Sequence, residues 1–394
     1  MRFPVKLSTT MTRQLLMFSP ADRGGLADYA REQANAIAGA GVAVLLLTTP
    51  DFDPANKKSC HILPQLSPNT NGSRPGSRIA SRMRTARRIL NNTRALTRCI
   101  SRSSCNHVLM GAYSEYLAPL WSGPLRKLAR GGVRFGAVVH DPIRDIVIGP
   151  KWWHKMSVAA AYSFLSEAFV HEPVELDSGS SPSRFRTTVI PHGIYEFDPP
   201  RKRPNLVRQE LSVPLSGTLL LAFGLIRDRK NLDLAIRAIR QLPDCYLVVA
   251  GQEEGNGQKP LRDYQELAEL EGVSERCRWR SGYIPGSEVG DLFGVADLAL
   301  VTYERKFRSA SGVLNIAAGY RKPCVASSGS GNLQTVIKQY GLGVWVEPDS
   351  VEALVGGIRQ WQKNPSRPDW ERYEQEHSWA KNAQLVIERM FDAV

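Results

Sequence analysis

The segment FGLIRDRKNLDLAIRAI, residues 223–239, places Arg227, Arg229 and Lys230 between a short apolar run and an amphipathic helical pattern. Three cations at the carboxyl end of a strand suit a diphosphate whose charge must be neutralised as it departs. A solvated basic loop is the plainer reading. Upstream, SPADRGGLADYA sets Gly24 and Gly25 between a strand and a helix. Backbone without Cβ can approach a ligand closely there, and the helix start favours an anion, although a tight turn needs the same glycines.

Two further stretches carry candidate chemistry. VVHDPIRD puts His140 and Asp141 just past an apolar run, where either can serve as a base or His140 can be a buried structural imidazole. FRSASGVLNIAAG, residues 307–319, begins a helix at Ser309, Ser311 and Gly312. Its first N–H groups can hold a phosphate or carboxylate, and the serines can equally act as N-caps. In SGYIPGSEVGDLFGVADLALVTYE, Tyr283 and Ile284 stand at a loop where an apolar wall could flank a nucleobase. No GxGxxG follows the first strand of either half, which argues against a dinucleotide cofactor.

These residues need a frame to position them. QLLMF (14–18), VAVLLL (42–47), HVLM (107–110), FGAVV (135–139), AFVH (168–171) and TTVI (187–190) read as buried strands. Helical patterns over 25–41 and 114–132 alternate with them and end in glycine. DPPRKRPN (198–205) marks a linker, after which TLLLAFG, CYLVVAG, CRWRSG, DLALVTY, PCVAS and GVWV restart the alternation. The repeat predicts two α/β domains with parallel sheets, as a 394-residue chain exceeds the size of one core.

In that order, these segments resemble the GT-B glycosyltransferases of family 4, over about residues 14–390. The resemblance implies two doubly wound Rossmann-like domains facing across a cleft. Residues 1–198 would bind the acceptor, 206–372 a nucleoside-diphosphate sugar, and 373–394 would form a helix crossing back to the first domain. It implies no metal. Carried over by position, Gly24 and Gly25 match the glycine loop beside the donor phosphates, and His140 matches a histidine that reaches the donor sugar. Lys230 matches the lysine that holds the diphosphate, with Asn231 where the family has glycine. Leu225 lies near the usual place of a second cation, a role left to Arg227 or Arg229.

The family's Glu-x7-Glu pair is absent: eight residues beyond Glu304 stands Gly312, and no acid occurs between Glu304 and Glu347. Three outcomes follow from this. Ser309, Ser311 and backbone take over the hydroxyl contacts, the donor is altered, or donor binding is lost. Each missing charged hydrogen bond costs about 1.5–3 kcal/mol if nothing replaces it. The resemblance implies retention of configuration, whereas inversion would need Asp141 or His140 as base.

Net charge is +13, and Lys57, Lys58 and nine arginines between Pro54 and Ser114, where no acid occurs, carry most of it. Residues 77–102 show Ile79, Met83, Ala86 and Leu90 at helical spacing with arginines mostly opposite, and Asn91 and Asn92 are expected to interrupt the helix. A basic amphipathic helix suits an anionic membrane surface, as a lipid-linked acceptor would require. It could also lay its apolar stripe on its own domain. Nucleic-acid binding is disfavoured, since no Phe, Trp or Tyr lies between Lys57 and Tyr113 to stack on bases. With no membrane-spanning run, no signal peptide pattern at the start and six dispersed cysteines, the expectation is a cytoplasmic protein peripheral to the membrane.

Overall fold

A computed structural model describes residues 13–53, 59–68, 78–103, 105–115, 117–142, 149–176, 185–254 and 258–392. The chain forms two compact units. Among the described residues, unit 1 holds those within 13–142, 149–190 and 379–392, and unit 2 those within 191–378.

Unit 1 runs β1 (Gln14–Phe18), α1 (Gly25–Gly39), β2 (Ala43–Thr48), β3 (His61–Pro64), α2 (Arg78–Ser103), β4 (His107–Met110), α3 (Ala118–Arg130), β5 (Arg134–Val138), α4 (Lys151–Tyr162), β6 (Glu167–Val170) and β7 (Arg186–Val189). Among the described residues its sheet has seven strands, all parallel, in the order β3-β2-β1-β4-β5-β6-β7. Strand β1 shows why QLLMF has no polar alternation. Leu16 and Phe18 enter a core packed by α2, α3 and α4, while Leu15 and Met17 enter a second core on the other face. Both faces of such a strand are buried, so both sets of side chains are apolar.

Unit 2 runs α5 (Pro204–Glu210), β8 (Thr218–Phe223), α6 (Leu232–Arg240), β9 (Cys245–Gly251), α7 (Leu261–Leu270), β10 (Cys277–Ser281), α8 (Gly286–Val295), β11 (Leu298–Thr302), α9 (Gly312–Gly319), β12 (Cys324–Ser327), α10 (Asn332–Tyr340), β13 (Gly343–Trp345), α11 (Val351–Lys363) and α12 (Trp370–Glu376). Its six parallel strands follow the order β10-β9-β8-β11-β12-β13. In both sheets the winding reverses beside the first strand, between β1 and β4 and between β8 and β11. Open parallel sheets bind ligands beyond the carboxyl ends of strands at such a reversal.

The Pro-rich segment after Asp198 is docked rather than loose. Asp291 Oδ1 on α8 accepts the N–H groups of Arg201 (2.7 Å) and Lys202 (2.9 Å). A Cβ at Gly290 would stand 2.4 Å from the Asp198 carbonyl oxygen, so only glycine lets the segment lie this close. Beyond α12 the chain returns to unit 1 as α13 (Trp379–Ile387), where Ala383, Val386 and Ile387 join the core that contains Leu15 and Ile37.

The basic helix departs from its expected form in two ways. It continues through Asn91 and Asn92 as one helix of 26 residues, because Asn92 turns inward and its side-chain oxygen accepts the Ser67 N–H at 2.8 Å. Its packed stripe is also displaced. Leu96 and Ile100 are buried, with Ile89, Leu90 and Cys99 against the same core, whereas Met83 is 69% exposed. The carboxyl half of α2 therefore anchors the helix, and its amino half presents Arg82, Met83, Arg84 and Arg87 to solvent. Among the described residues no helix is long and apolar enough to cross a membrane.

Candidate active site

The strand ends of unit 2 build the most developed site. At the end of β8 the backbone turns through Gly224 at φ +91°, where an added Cβ would meet Lys230 Nζ at 2.9 Å. A Cβ on Gly251, at the end of β9, would meet the Gly224 carbonyl oxygen at 2.0 Å. Two glycines thus bring adjacent strand ends into backbone contact and leave room for the lysine. Beyond them the chain closes a short 3-10 turn, Asp228–Lys230, and enters α6 through Asn231.

Asn231 stands at φ 51°, ψ 35°, the left-handed conformation. Asparagine tolerates that region better than most non-glycine residues, so it preserves the backbone path expected of a glycine at this position. Its Nδ2 donates to Asp349 Oδ1 at 3.1 Å, and Asp349 Oδ2 accepts the Arg305 N–H, also at 3.1 Å. Asp349 therefore ties the loop after β8 to the loop after β11. Asp228 makes a second anchor, accepting from Lys259 N (3.0 Å) and the Tyr264 hydroxyl (3.1 Å).

Within this frame a shallow recess open to solvent is lined by Gly224, Arg227, Lys230, Thr302, Tyr303 and Val313 among others. Lys230 Nζ donates to the Phe223 carbonyl oxygen at 2.7 Å. Burial, with Arg227 nearby, pulls its pKa down to about 7, against a smaller opposing effect of Glu254. Arg227 lies 3.7 Å from Glu254, and its buried Nε has no hydrogen-bond partner among the described residues. Two cationic groups thus share one recess, which is costly for each until an anion joins them.

The helix start at α9 is firmly built. Ser311 caps it, accepting the Leu314 N–H at 3.3 Å, and its oxygen pairs with the Tyr303 hydroxyl at 2.8 Å. Tyr303 stacks on Phe307 with ring centroids 3.9 Å apart, and Tyr373 donates to Asn315 Oδ1 at 2.8 Å. Ser311 is 3% exposed, so its hydroxyl serves the cap and Tyr303. Half-buried Ser309 and Gly312 flank that cap, and the Glu304 N–H donates to the Arg229 carbonyl at 3.3 Å.

The other sequence candidates fall at distinct places. Tyr283 is 48% exposed and Ile284 is buried, both beyond β10 and outside the lining of the recess. In unit 1, Gly24 at φ +77° starts α1, and no atom lies within 4 Å of a Cβ added at Gly24 or Gly25. His140, half-buried past β5, holds the Gly111 carbonyl oxygen with Nε2 at 2.9 Å, and burial lowers its pKa. Asp141 is exposed. Sequence reasoning had passed over Tyr303, Thr302 and Asp349. An aromatic next to Glu304 at a strand end was the available signal for Tyr303. Asp349 had none, lying 118 positions from its partner Asn231. Among the described residues no group of three or more His, Cys, Asp or Glu is placed to hold a metal ion.

Residues 205–386 match the glycosyl transferases group 1 family. The chain has the GT-B glycosyltransferase fold. The lipopolysaccharide glucosyltransferase WaaG of Escherichia coli is 28% identical over 231 residues, 55% of this chain and 57% of that protein, so the match spans little more than half of it. A glycosyltransferase from Rickettsia africae superposes with a TM-score of 0.70 at 16% identity, covering 98% of this chain and all of that one. Anabaena Alr3699/HepE in complex with UDP-glucose gives 0.63 at 14% identity, covering 96% and 95%.

Proposed function

We propose that this protein transfers a hexose-type sugar from a nucleoside-diphosphate sugar to a lipid-linked or polysaccharide acceptor, with retention and without a metal. The observation that carries the reading is the Lys230–Arg227 recess at the winding reversal of the unit 2 sheet. It offers an anion two cationic side chains. The family match over the same residues and the UDP-glucose bound by a structural neighbour support a nucleotide-sugar donor.

In this reading the bond between the anomeric carbon and the leaving phosphate oxygen breaks as the acceptor oxygen bonds to that carbon. Charge accumulates on the departing diphosphate, where Lys230 and Arg227 stabilise it, with Arg229 beside them. The first N–H groups of α9, at Ser311 and Gly312, add partial positive charge, and Ser309 and Glu304 serve donor hydroxyls. Tyr283 and Ile284 flank the nucleobase. In unit 1, Gly24 and Gly25 give backbone N–H groups to the phosphates and His140 serves the sugar. The departing phosphate takes the acceptor proton, and Asp141 or His140 would take it in an inverting reaction. The exposed amino half of α2 is the proposed dock on the anionic inner face of the membrane, which fits a lipid-linked acceptor and a cytoplasmic, peripheral location.

Thermal-shift screening against UDP-, GDP- and ADP-sugars, followed by an assay of nucleoside diphosphate release, tests the proposal. Stabilisation by one donor class with release of its nucleotide is expected. Stabilisation without release would mark a non-catalytic binding subunit instead, and a salt-dependent shift on RNA with no donor effect would mark a nucleic-acid binder.

A further inference from the structure

The carboxyl-terminal helix and His140 meet at one buried side chain. Tyr29, on the second turn of α1, is 1% exposed. Its ring lies edge-on to the His140 imidazole with centroids 4.7 Å apart, edge-on to Trp379 at 4.9 Å, and tilted to His171 at 5.4 Å. Its hydroxyl accepts from Asn382 Nδ2 at 3.0 Å and from Gln33 Nε2 at 3.4 Å, and Gln33 Nε2 also donates to Asn382 Oδ1 at 2.9 Å. Asn382 and Gln33 are both fully buried. One aromatic ring is thus fixed at its hydroxyl end by α13 and lies against His140 with its face or edge.

The opposite side of the imidazole is fixed as well. A carbonyl oxygen only accepts, so the 2.9 Å contact with Gly111 makes His140 Nε2 the N–H donor and leaves Nδ1 as the second ring nitrogen. A Cβ at residue 111 would stand 3.0 Å from the Met17 methyl carbon and 3.4 Å from the Phe18 carbonyl oxygen, so the position is closely packed. Groups facing the ring are therefore Tyr29 from α1, His171 from beyond β6, the Gly111 carbonyl from beyond β4 and, on its own loop, Asp141.

We infer that Tyr29, held by Asn382 of the carboxyl-terminal helix, is a positioning residue that keeps His140 on the Gly111 carbonyl and presents Nδ1 as a hydrogen-bond acceptor. This rests on the proposed role of His140 toward the donor sugar and names its partner there as a hydroxyl that donates. It also gives α13 a task beyond packing. A helix that only filled the core would have no need of a buried amide aimed at a tyrosine hydroxyl.

The test reads His140 directly by long-range proton–nitrogen NMR of the full chain, with His140→Gln identifying its signals. In the wild type the ring should be in the Nε2–H form and titrate below the ordinary midpoint of about 6.5. Tyr29→Leu removes the ring and should raise the midpoint by about half a unit or more, with loss of the single tautomer. Tyr29→Phe and Asn382→Leu both break the Tyr29–Asn382 hydrogen bond, each losing one contact to Gln33 as well, so each should give a smaller rise and the double variant less than their sum. Val386→Ala, equally buried on α13 but with no hydrogen-bonding group to offer Tyr29, should leave the His140 signals unchanged. An unaltered midpoint and tautomer in Tyr29→Leu overturns the inference, as does additivity in the double variant. Nucleotide release by His140→Ala at the wild-type rate, measured separately on UDP-glucose, would instead overturn the role assigned to His140.

Discussion

If the Lys230–Arg227 recess holds the donor diphosphate, titration of Lys230 makes binding depend on pH in a direction and amount that can be stated in advance. Its pKa of about 7 in the unliganded recess lies below the 10.5 of a free lysine. A bound diphosphate supplies the missing countercharge and restores the proton. Between those two values the free protein lacks a proton that the complex keeps, so affinity must fall as pH rises above 7. With one such group, the apparent Kd for UDP rises by a factor of (1 + 10^1.5)/2, about 16-fold, between pH 7 and 8.5, and by about tenfold per unit beyond. The phosphate's own titration near pH 6 is complete by then and does not contribute. Isothermal titration calorimetry with UDP, repeated at pH 8.5 in buffers of different ionisation enthalpy, should show close to one proton taken up per UDP. Lys230→Arg, charged throughout, should flatten the profile, and Lys230→Ala should bind weakly at every pH. A wild-type Kd constant within twofold from pH 7.5 to 9 would rule out proton uptake by Lys230 on binding.

The same lysine affects stability with the opposite sign. Its folded pKa is depressed, so the cost of charging it in the unliganded fold is present below pH 7 and relieved as pH rises toward 10.5. Lys230→Met should be more stable than wild type at pH 6.5 by about 1–3 kcal/mol, a gap closing by pH 10, read by denaturant titration. Ser311→Ala removes the cap of α9 and leaves the Tyr303 hydroxyl without its partner, at about 1–2 kcal/mol in the same assay. Gly251→Ala drives a methyl into the Gly224 carbonyl, so the recess should lose UDP binding before the fold is lost. Replacing Arg84 and Arg87 by Glu on the exposed half of α2 should weaken cosedimentation with phosphatidylserine-containing vesicles by about 2 kcal/mol or more, roughly 30-fold, without altering UDP binding.

Much of the fold was legible because parallel strands covered on both faces leave a plain mark. QLLMF and TLLLAF are uninterrupted apolar runs, and each ends where a loop of special residues begins. Strand β3 escaped notice because HILP lies at the sheet edge and buries only Leu63. Helix α4, KWWHKMSVAAAY, mixes tryptophans with lysines and shows little amphipathic contrast, so its apolar pattern gave no signal. The expected break in α2 rested on the weak helix preference of asparagine, which a buried hydrogen bond from Ser67 overrides.

The site was legible where chemistry sits in one short segment. Arg227 and Lys230 lie on a single loop, and the recess contains both. What joins distant segments was not legible, since Asn231 meets Asp349 across 118 positions and Tyr29 meets Asn382 across 353. No periodicity reports such pairs. Ser311 illustrates a different limit: the sequence could not show that a hydroxyl at a helix start is already engaged by Tyr303.

The central claim is that the Lys230–Arg227 recess holds the diphosphate of a sugar donor during transfer. Nucleoside diphosphate release, measured across UDP-, GDP- and ADP-sugars with a membrane-derived acceptor fraction, addresses it most directly. Release from one donor class is expected, reduced about a hundredfold or more by Lys230→Ala with the fold intact. Release at the wild-type rate from the Lys230→Ala protein would contradict it.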